Sequence, residues 1–83
     1  MIKQEMRFLA VLENADSQEV GFERFGCKKP ETVRKNMEWL LDQPLYRACV
    51  RMDGAVRVAI YATPDGYGRE PSPCLCFDIR RAE

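Results

Sequence analysis

Apolar residues alternate along the first 25 positions, and this alternation predicts a β-hairpin. The first predicted strand runs from about Lys3 to Glu13 and is apolar on both faces, which is typical of a central, covered strand. Its faces would carry Met6, Phe8, Ala10 and Leu12 on one side and Leu9 and Val11 on the other. Turn-forming residues at 14–17 separate it from a second predicted strand at 18–25.

After Gly26 the apolar spacing changes to a helical period. Val33, Met37, Leu40 and Leu41 follow the i, i+4, i+7, i+8 pattern of a buried helical stripe. Pro30 suits the first helical position, and Pro44 should end the helix by about residue 42 or 43. The sequence therefore predicts one amphipathic helix.

The segment from Leu45 to Tyr61 predicts a second hairpin, because one choice of loop produces a clean apolar face. A two-residue loop would set arginine opposite valine on both faces, whereas the three-residue loop 52–54, with Gly54 left-handed, avoids this. The apolar cross-strand pairs would then be Val50 with Val56, Ala48 with Val58, and Tyr46 with Ile60. We therefore expect the three-residue loop.

The last elements are a loop, Thr63–Pro73, and a strand, Cys74–Arg80, with Leu75, Phe77 and Ile79 pointing inward. The predicted fold is a single α+β domain spanning 1–83, in the order ββαβββ. One mostly antiparallel sheet would be packed on one face by a single amphipathic helix. The ββαβ opening resembles the β-grasp arrangement of ubiquitin-like domains in topology, a likeness that implies nothing about function.

Composition narrows the class of function. Thirteen basic and thirteen acidic side chains cancel, which argues against binding nucleic acid or a membrane through the whole surface. The N-terminal residues have no apolar signal region and no apolar run approaches membrane length, so we expect a cytoplasmic protein with reduced cysteines. A chain of 83 residues builds only a modest core, which favours a partner or dimerisation.

Catalytic and metal chemistry find little support in the sequence. There is no histidine, phosphate-binding glycine loop or nucleophile elbow, so we expect a non-enzymatic protein without a cofactor. A zinc site is the minor alternative, although the cysteine spacing matches no zinc motif. Its ligands would be Cys27, Cys49, Cys74 and Cys76.

The outward face of the predicted sheet is the candidate binding site. The expected register brings together Arg47, Arg51, Arg57 and Tyr61, which would suit an anion or an acidic surface. Carboxylates on neighbouring strands provide the alternative, internal neutralisation; the candidates are Glu5, Glu19, Glu23 and Asp78. The loop adds Tyr67 and Arg69, either to wrap a ligand or as part of a rigid connector.

An apolar patch on the same face supplies a second hypothesis. Leu9, Val11 and Phe25 would form an interface unless the 63–73 loop covers them. The leading function is thus a non-catalytic binding module that contacts an acidic protein or nucleic-acid phosphates. The alternative is a small inhibitor of the phage or mobile-element type, which blocks a host protein by steric occlusion as a monomer or homodimer. A small enzyme or metal protein is the third.

Overall fold

The computed structural model describes residues 7–64 and 68–79 and shows an α+β fold. Its elements are β1 (Arg7–Asn14), β2 (Glu19–Gly26), α1 (Pro30–Leu41), α2 (Pro44–Met52), β3 (Ala55–Ala62) and β4 (Leu75–Asp78). The four strands form one sheet in the order β2-β1-β3-β4, and every neighbouring pair is antiparallel. The predicted α+β class, with helical cover on one face of an antiparallel sheet, is confirmed.

The core lies between the sheet and the two helices. From the sheet it takes Phe8, Ala10, Leu12, Val58, Ile60 and Ala62, and from the helices Val33, Met37 and Val50. Val33 and Met37 are fully buried, and Leu40 and Leu41 are half-buried against them, so the predicted stripe of α1 is confirmed. Pro30 occupies the first turn of α1, as its fixed φ favours.

The predicted hairpin from Leu45 to Tyr61 is wrong, because residues 44–52 form a second helix. The element order is therefore ββααββ rather than ββαβββ. Tyr46, Ala48 and Val50 lie two positions apart, as on one face of a strand. Tyr46 and Val50 are also four positions apart, as on one side of a helix, so the segment fits both the strand period and the helical period. Pro44 ends α1 and also stands in the first turn of α2, and the resemblance to a ββαβ opening stops at α1.

β3 finds its partners elsewhere in the sheet. Val58 lies opposite Leu12 of β1 and Phe77 of β4, not opposite Ala48. Gly54 does adopt the expected left-handed conformation, with φ of 74°, but it joins a helix to a strand. In β4, Leu75 and Phe77 pack inward as predicted; Arg80 lies outside the described residues.

Candidate protein-interaction site

The predicted arginine face does not form. Arg57 and Tyr61 lie on β3 and point to the helix-free face of the sheet, whereas Arg47 and Arg51 belong to α2, on the opposite side. The error follows directly from the element type of residues 44–52. A helix carries its residues over the sheet instead of extending it.

Arg57 is neutralised within the sheet. Its Nε donates a hydrogen bond to Oε1 of Glu13 at 2.9 Å, directly across from it on β1, and its guanidinium also donates to Ser17 Oγ at 3.0 Å. The bond to Glu13 raises the pKa of Arg57 above its ordinary value. Internal neutralisation was the predicted alternative, but Glu13 was not among its candidates. Arg57 therefore offers little charge to an outside partner.

Arg69 covers the middle of the helix-free face. Its guanidinium stacks on the ring of Tyr61, 4.6 Å from the centroid, and pairs with the carboxylate of Glu19. Because β1 lies between β3 and β2, the Arg69 side chain crosses β1 to reach both. Beneath it, Val11 and Ala59 are only 1% and 2% exposed. The 63–73 loop thus supplies cover here, through Arg69.

The three residues of the predicted apolar interface therefore do not form one exposed patch. Val11 is buried, Leu9 is half-buried, and Phe25 packs on the helical side of the sheet instead of the helix-free side. The large hydrophobic side chain that stays exposed on the helix-free face is Phe22, at 59%, with the Arg24 guanidinium 5.7 Å from its ring centroid. Tyr67 lies outside the described residues.

The outer face of α2 carries the two most exposed large hydrophobic side chains among the described residues. Leu45 and Met52 are 84% and 87% exposed, and Ala48 and Cys49 between them are also exposed. These four residues, here called the α2 stripe, occupy i, i+3, i+4 and i+7 and so share one side of the helix. Val50, on the other side, is 4% exposed and anchors α2 to the core.

Trp39 is a further exposed hydrophobic side chain on the helical layer. It is 64% exposed and lies on the side of α1 opposite the buried pair Val33 and Met37. The outer surface of the helical layer therefore carries three of the four large hydrophobic side chains that are exposed in the described part of the chain; the fourth is Phe22. Concentrated exposed apolar area of this kind marks interaction sites.

α2 carries two basic residues. Arg47 donates through Nε to the Leu41 carbonyl at 3.1 Å and pairs with Asp42 at 3.5 Å, which holds it against the end of α1. Arg51 lies one turn further along and is exposed. Residues 44–52 contain no acidic side chain, and Arg51 is the basic residue of α2 that borders the stripe, three positions from Ala48.

Tyr46 anchors α2 from the inner side. Its hydroxyl is buried without a hydrogen bond of good geometry among the described residues, although the Glu23 carboxylate lies close enough to act on it. Burial, with the Glu23 carboxylate as a second cause, raises the pKa of Tyr46 to about 12. The hydroxyl is therefore a cost to the packing of α2 and gives no sign of a catalytic role.

The four cysteines are free thiols in separate places. Cys27 is half-buried and accepts a hydrogen bond from Asn36 Nδ2 at 3.7 Å, and Cys49 lies on the α2 stripe. Cys74 and Cys76 are exposed at β4. Within residues 7–64 and 68–79, no three His, Cys, Asp or Glu side chains are grouped so that they could hold a metal ion.

A shallow cleft of about 270 Å³ opens where β1 begins and β2 ends. Its lining consists of Arg7, Phe8, Arg24, Phe25, Gly26 and Thr63. The lining is cationic and apolar and contains no carboxylate, thiol or imidazole, so it offers no general base beside the Thr63 hydroxyl. We assign no catalytic chemistry to it.

Comparison with protein-family models, with curated proteins and with solved structures gives no match to this chain. No helix in the described ranges is long and apolar enough to span a membrane. Function must therefore be argued from the surface itself. The sequence analysis did not predict the α2 stripe, because it began a hairpin strand at Leu45 and placed Met52 in the hairpin loop; their i and i+7 spacing was the available signal.

Proposed function

We propose that this protein is a non-catalytic module that binds another protein through the α2 stripe. The observation that carries the proposal is the exposure of Leu45 and Met52 on a helix whose opposite side is anchored by buried Val50. An amphipathic helix seated in a hydrophobic groove is recognised through anchors at i, i+3, i+4 and i+7, which is the spacing of the stripe.

The charge around the stripe suggests what the partner groove looks like. Arg51 lies one helical turn from Ala48, so an acidic rim on that side of the groove would complement it. The proposed partner is thus an acidic protein, as in the sequence-based hypothesis, but it would contact α2 instead of the sheet. Nucleic-acid phosphates are a poorer fit, because the chain has no net charge and Arg57 is bound to Glu13.

Steric occlusion is the mode of action that such a surface favours. A module whose contact face is mainly apolar changes its partner by occupying a groove that another molecule would use. Burying Leu45 and Met52 would contribute about 3 kcal/mol at the lower end of the usual range, which corresponds to roughly 100-fold in affinity.

The test compares two surfaces of the same protein. The full chain is immobilised, captured proteins are identified by mass spectrometry, and the purified partner is titrated against Trp39 fluorescence, since Trp39 is the sole tryptophan and is exposed on the neighbouring helix α1. Leu45→Gln with Met52→Gln keeps good helix formers and should weaken binding roughly 100-fold. Phe22→Thr removes an exposed apolar side chain from the opposite face and should leave binding unchanged. Equal binding by wild type and the double variant would refute the proposal.

A further inference from the structure

Three strands contribute to the cleft at the start of β1 and the end of β2. Thr63 continues β3 beside Arg7, because its N–H donates to the Arg7 carbonyl at 2.8 Å, and Gly26 lies opposite Arg7 on β2. Arg24 pairs with Leu9, two positions further along β1, so it shares the helix-free face with Arg7. Gly26 has no side chain to fill the space beside Arg7, and this favours a cleft at that point.

Positive charge is concentrated in this cleft. Arg7 and Arg24 are diagonal neighbours on adjacent strands, so their guanidinium groups repel one another. The lining contains no carboxylate, and Arg7 forms no ion pair with any residue in the described ranges. Glu13 and Glu19 share the same sheet face but lie near the other end of β1 and β2, where each already pairs with an arginine. An anion in the cleft would offset the repulsion.

Thr63 provides an independent observation that points to a ligand. It is 2% exposed and lines the cleft, yet its hydroxyl forms no hydrogen bond with another residue that the structure describes. Unlike the Tyr46 hydroxyl, it is not fully enclosed, and the cleft is the opening that it lines. A buried hydroxyl without a partner is unfavourable, and an oxygen atom of a bound molecule would satisfy it.

The wall of the cleft is aromatic. Phe8 and Phe25 are cross-strand partners and present apolar surface beside the two arginines. Inorganic phosphate would use the charge and leave this wall uncovered, whereas an organic acid would use both. A carboxylate also matches the planar fork of a guanidinium group in two parallel hydrogen bonds. The volume of about 270 Å³ lies just below the range of about 300–1,000 Å³ that is typical of sites for drug-sized molecules, so the acid is small.

We propose that this cleft binds the carboxylate of a small apolar acid, as a free molecule or as the last residue of a peptide. Arg7 and Arg24 hold the carboxylate oxygens, and the Thr63 hydroxyl donates to one of them. The apolar group packs on Phe25. The inference goes beyond the proposed function, because the cleft and the α2 stripe are separate places on the fold. Either can fail without the other.

The probe is phenylacetate, which joins a carboxylate to one aromatic ring. Two-dimensional amide NMR of the full chain follows residues 7, 24–26 and 63 during the titration. We expect shifts confined to the surroundings of these amides and a dissociation constant on the order of 1 mM, in keeping with the small size of the probe. Phenylacetamide, which has nearly the same shape without the charge, should bind at least about tenfold more weakly.

Three variants test the parts of the site. Arg7→Gln removes a charged donor and should raise the dissociation constant at least about tenfold, and Thr63→Val removes a neutral donor and should raise it about fivefold. The control Lys35→Gln removes one positive charge from an exposed position on α1 and should leave the dissociation constant unchanged. Circular dichroism checks that all three variants are folded.

The source of the carboxylate is decided by comparing phenylacetate with the tripeptide Ala-Ala-Phe, with the amidated tripeptide as its control. Tighter binding of the free tripeptide identifies the C-terminus of a peptide, and tighter binding of phenylacetate identifies a free acid; both results uphold the site. The absence of shifts at the cleft amides, equal binding of phenylacetate and phenylacetamide, or unchanged binding by Arg7→Gln would overturn it.

Discussion

Two methionines on helices differ almost completely in exposure, and truncating each to alanine tests the architecture. Met37 is 0% exposed and Met52 is 87% exposed. Truncating a buried methionine costs about 2–5 kcal/mol, including the cavity that it leaves. Only about an eighth of the Met52 side chain is buried. Truncating it to alanine should therefore lower the free energy of unfolding by about 0.2–0.4 kcal/mol, which is that fraction of the value for burying a whole methionine side chain.

The difference is large against the whole stability of such a chain. For 83 residues the free energy of unfolding is about 4–12 kcal/mol, so Met37→Ala should lower the melting temperature by at least about 8 °C. Urea unfolding followed by circular dichroism measures both variants. A cost above about 1 kcal/mol for Met52→Ala would refute the exposed α2 face. A loss of less than about 1 kcal/mol for Met37→Ala would refute the packing of α1.

Three further predictions concern single positions. Gly54→Ala should destabilise by about 1 kcal/mol in urea unfolding, because φ is 74° there although no atom lies within 4 Å of an added Cβ; an unchanged midpoint would contradict this. Burial raises the pKa of Tyr46 to about 12 from 10.0. The contribution of the protonated hydroxyl to the free energy of unfolding is therefore fully present below pH 10 and is lost as pH rises towards 12. Tyr46→Phe should reduce that alkaline loss without costing stability at pH 7, and an equal alkaline loss in both proteins would count against it. Arg69→Gln should uncover Val11 and Ala59 and increase binding of a hydrophobic dye while circular dichroism is unchanged; no change in dye binding would mean that Arg69 is not the cover.

The sequence predicts an element correctly where the spacing of its apolar residues fits only a helix or only a strand. The strand that became β1 has apolar residues on both faces, and the structure covers both, with helices on one side and Arg69 on the other. In α1, Met37 and Leu40 are three positions apart, so the stripe that they form with Val33 and Leu41 fits a helix and no single strand face. β4 alternates cleanly, and Leu75 and Phe77 face the core. In each case local pattern and tertiary packing agree.

Residues 44–52 were misread because their local pattern allows two structures. Tyr46, Ala48 and Val50 alternate as in a strand, while Tyr46 and Val50 also lie one helical turn apart. The choice depends on what β3 pairs with. Because β1 and β4 occupy both edges of β3, no edge remains for a strand made from 44–52. Information of that kind is tertiary and does not lie in the segment itself.

The candidate site moved for the same reason. Arg47, Arg51 and Arg57 form one cluster only if residues 44–52 are a strand, so one change of element type put two of them on the other side of the sheet. The same change released the apolar residues that the hairpin would have buried. In a strand, Ala48 would have faced the core beside Val58; in α2 it lies on the exposed stripe with Leu45 and Met52.

A helix held by so little buried surface implies a second contact. Of the nine residues of α2, Val50 alone is buried, and the buried Tyr46 hydroxyl adds a cost to its packing. Short isolated helices are marginal in water, so α2 must draw its order from tertiary contacts, and the domain offers it few. A second protein on the α2 stripe would bury the opposite side of the helix and stabilise it there. Amide hydrogen exchange should therefore be faster in α2 than in α1 for the monomer, and should slow in α2 when the stripe is occupied.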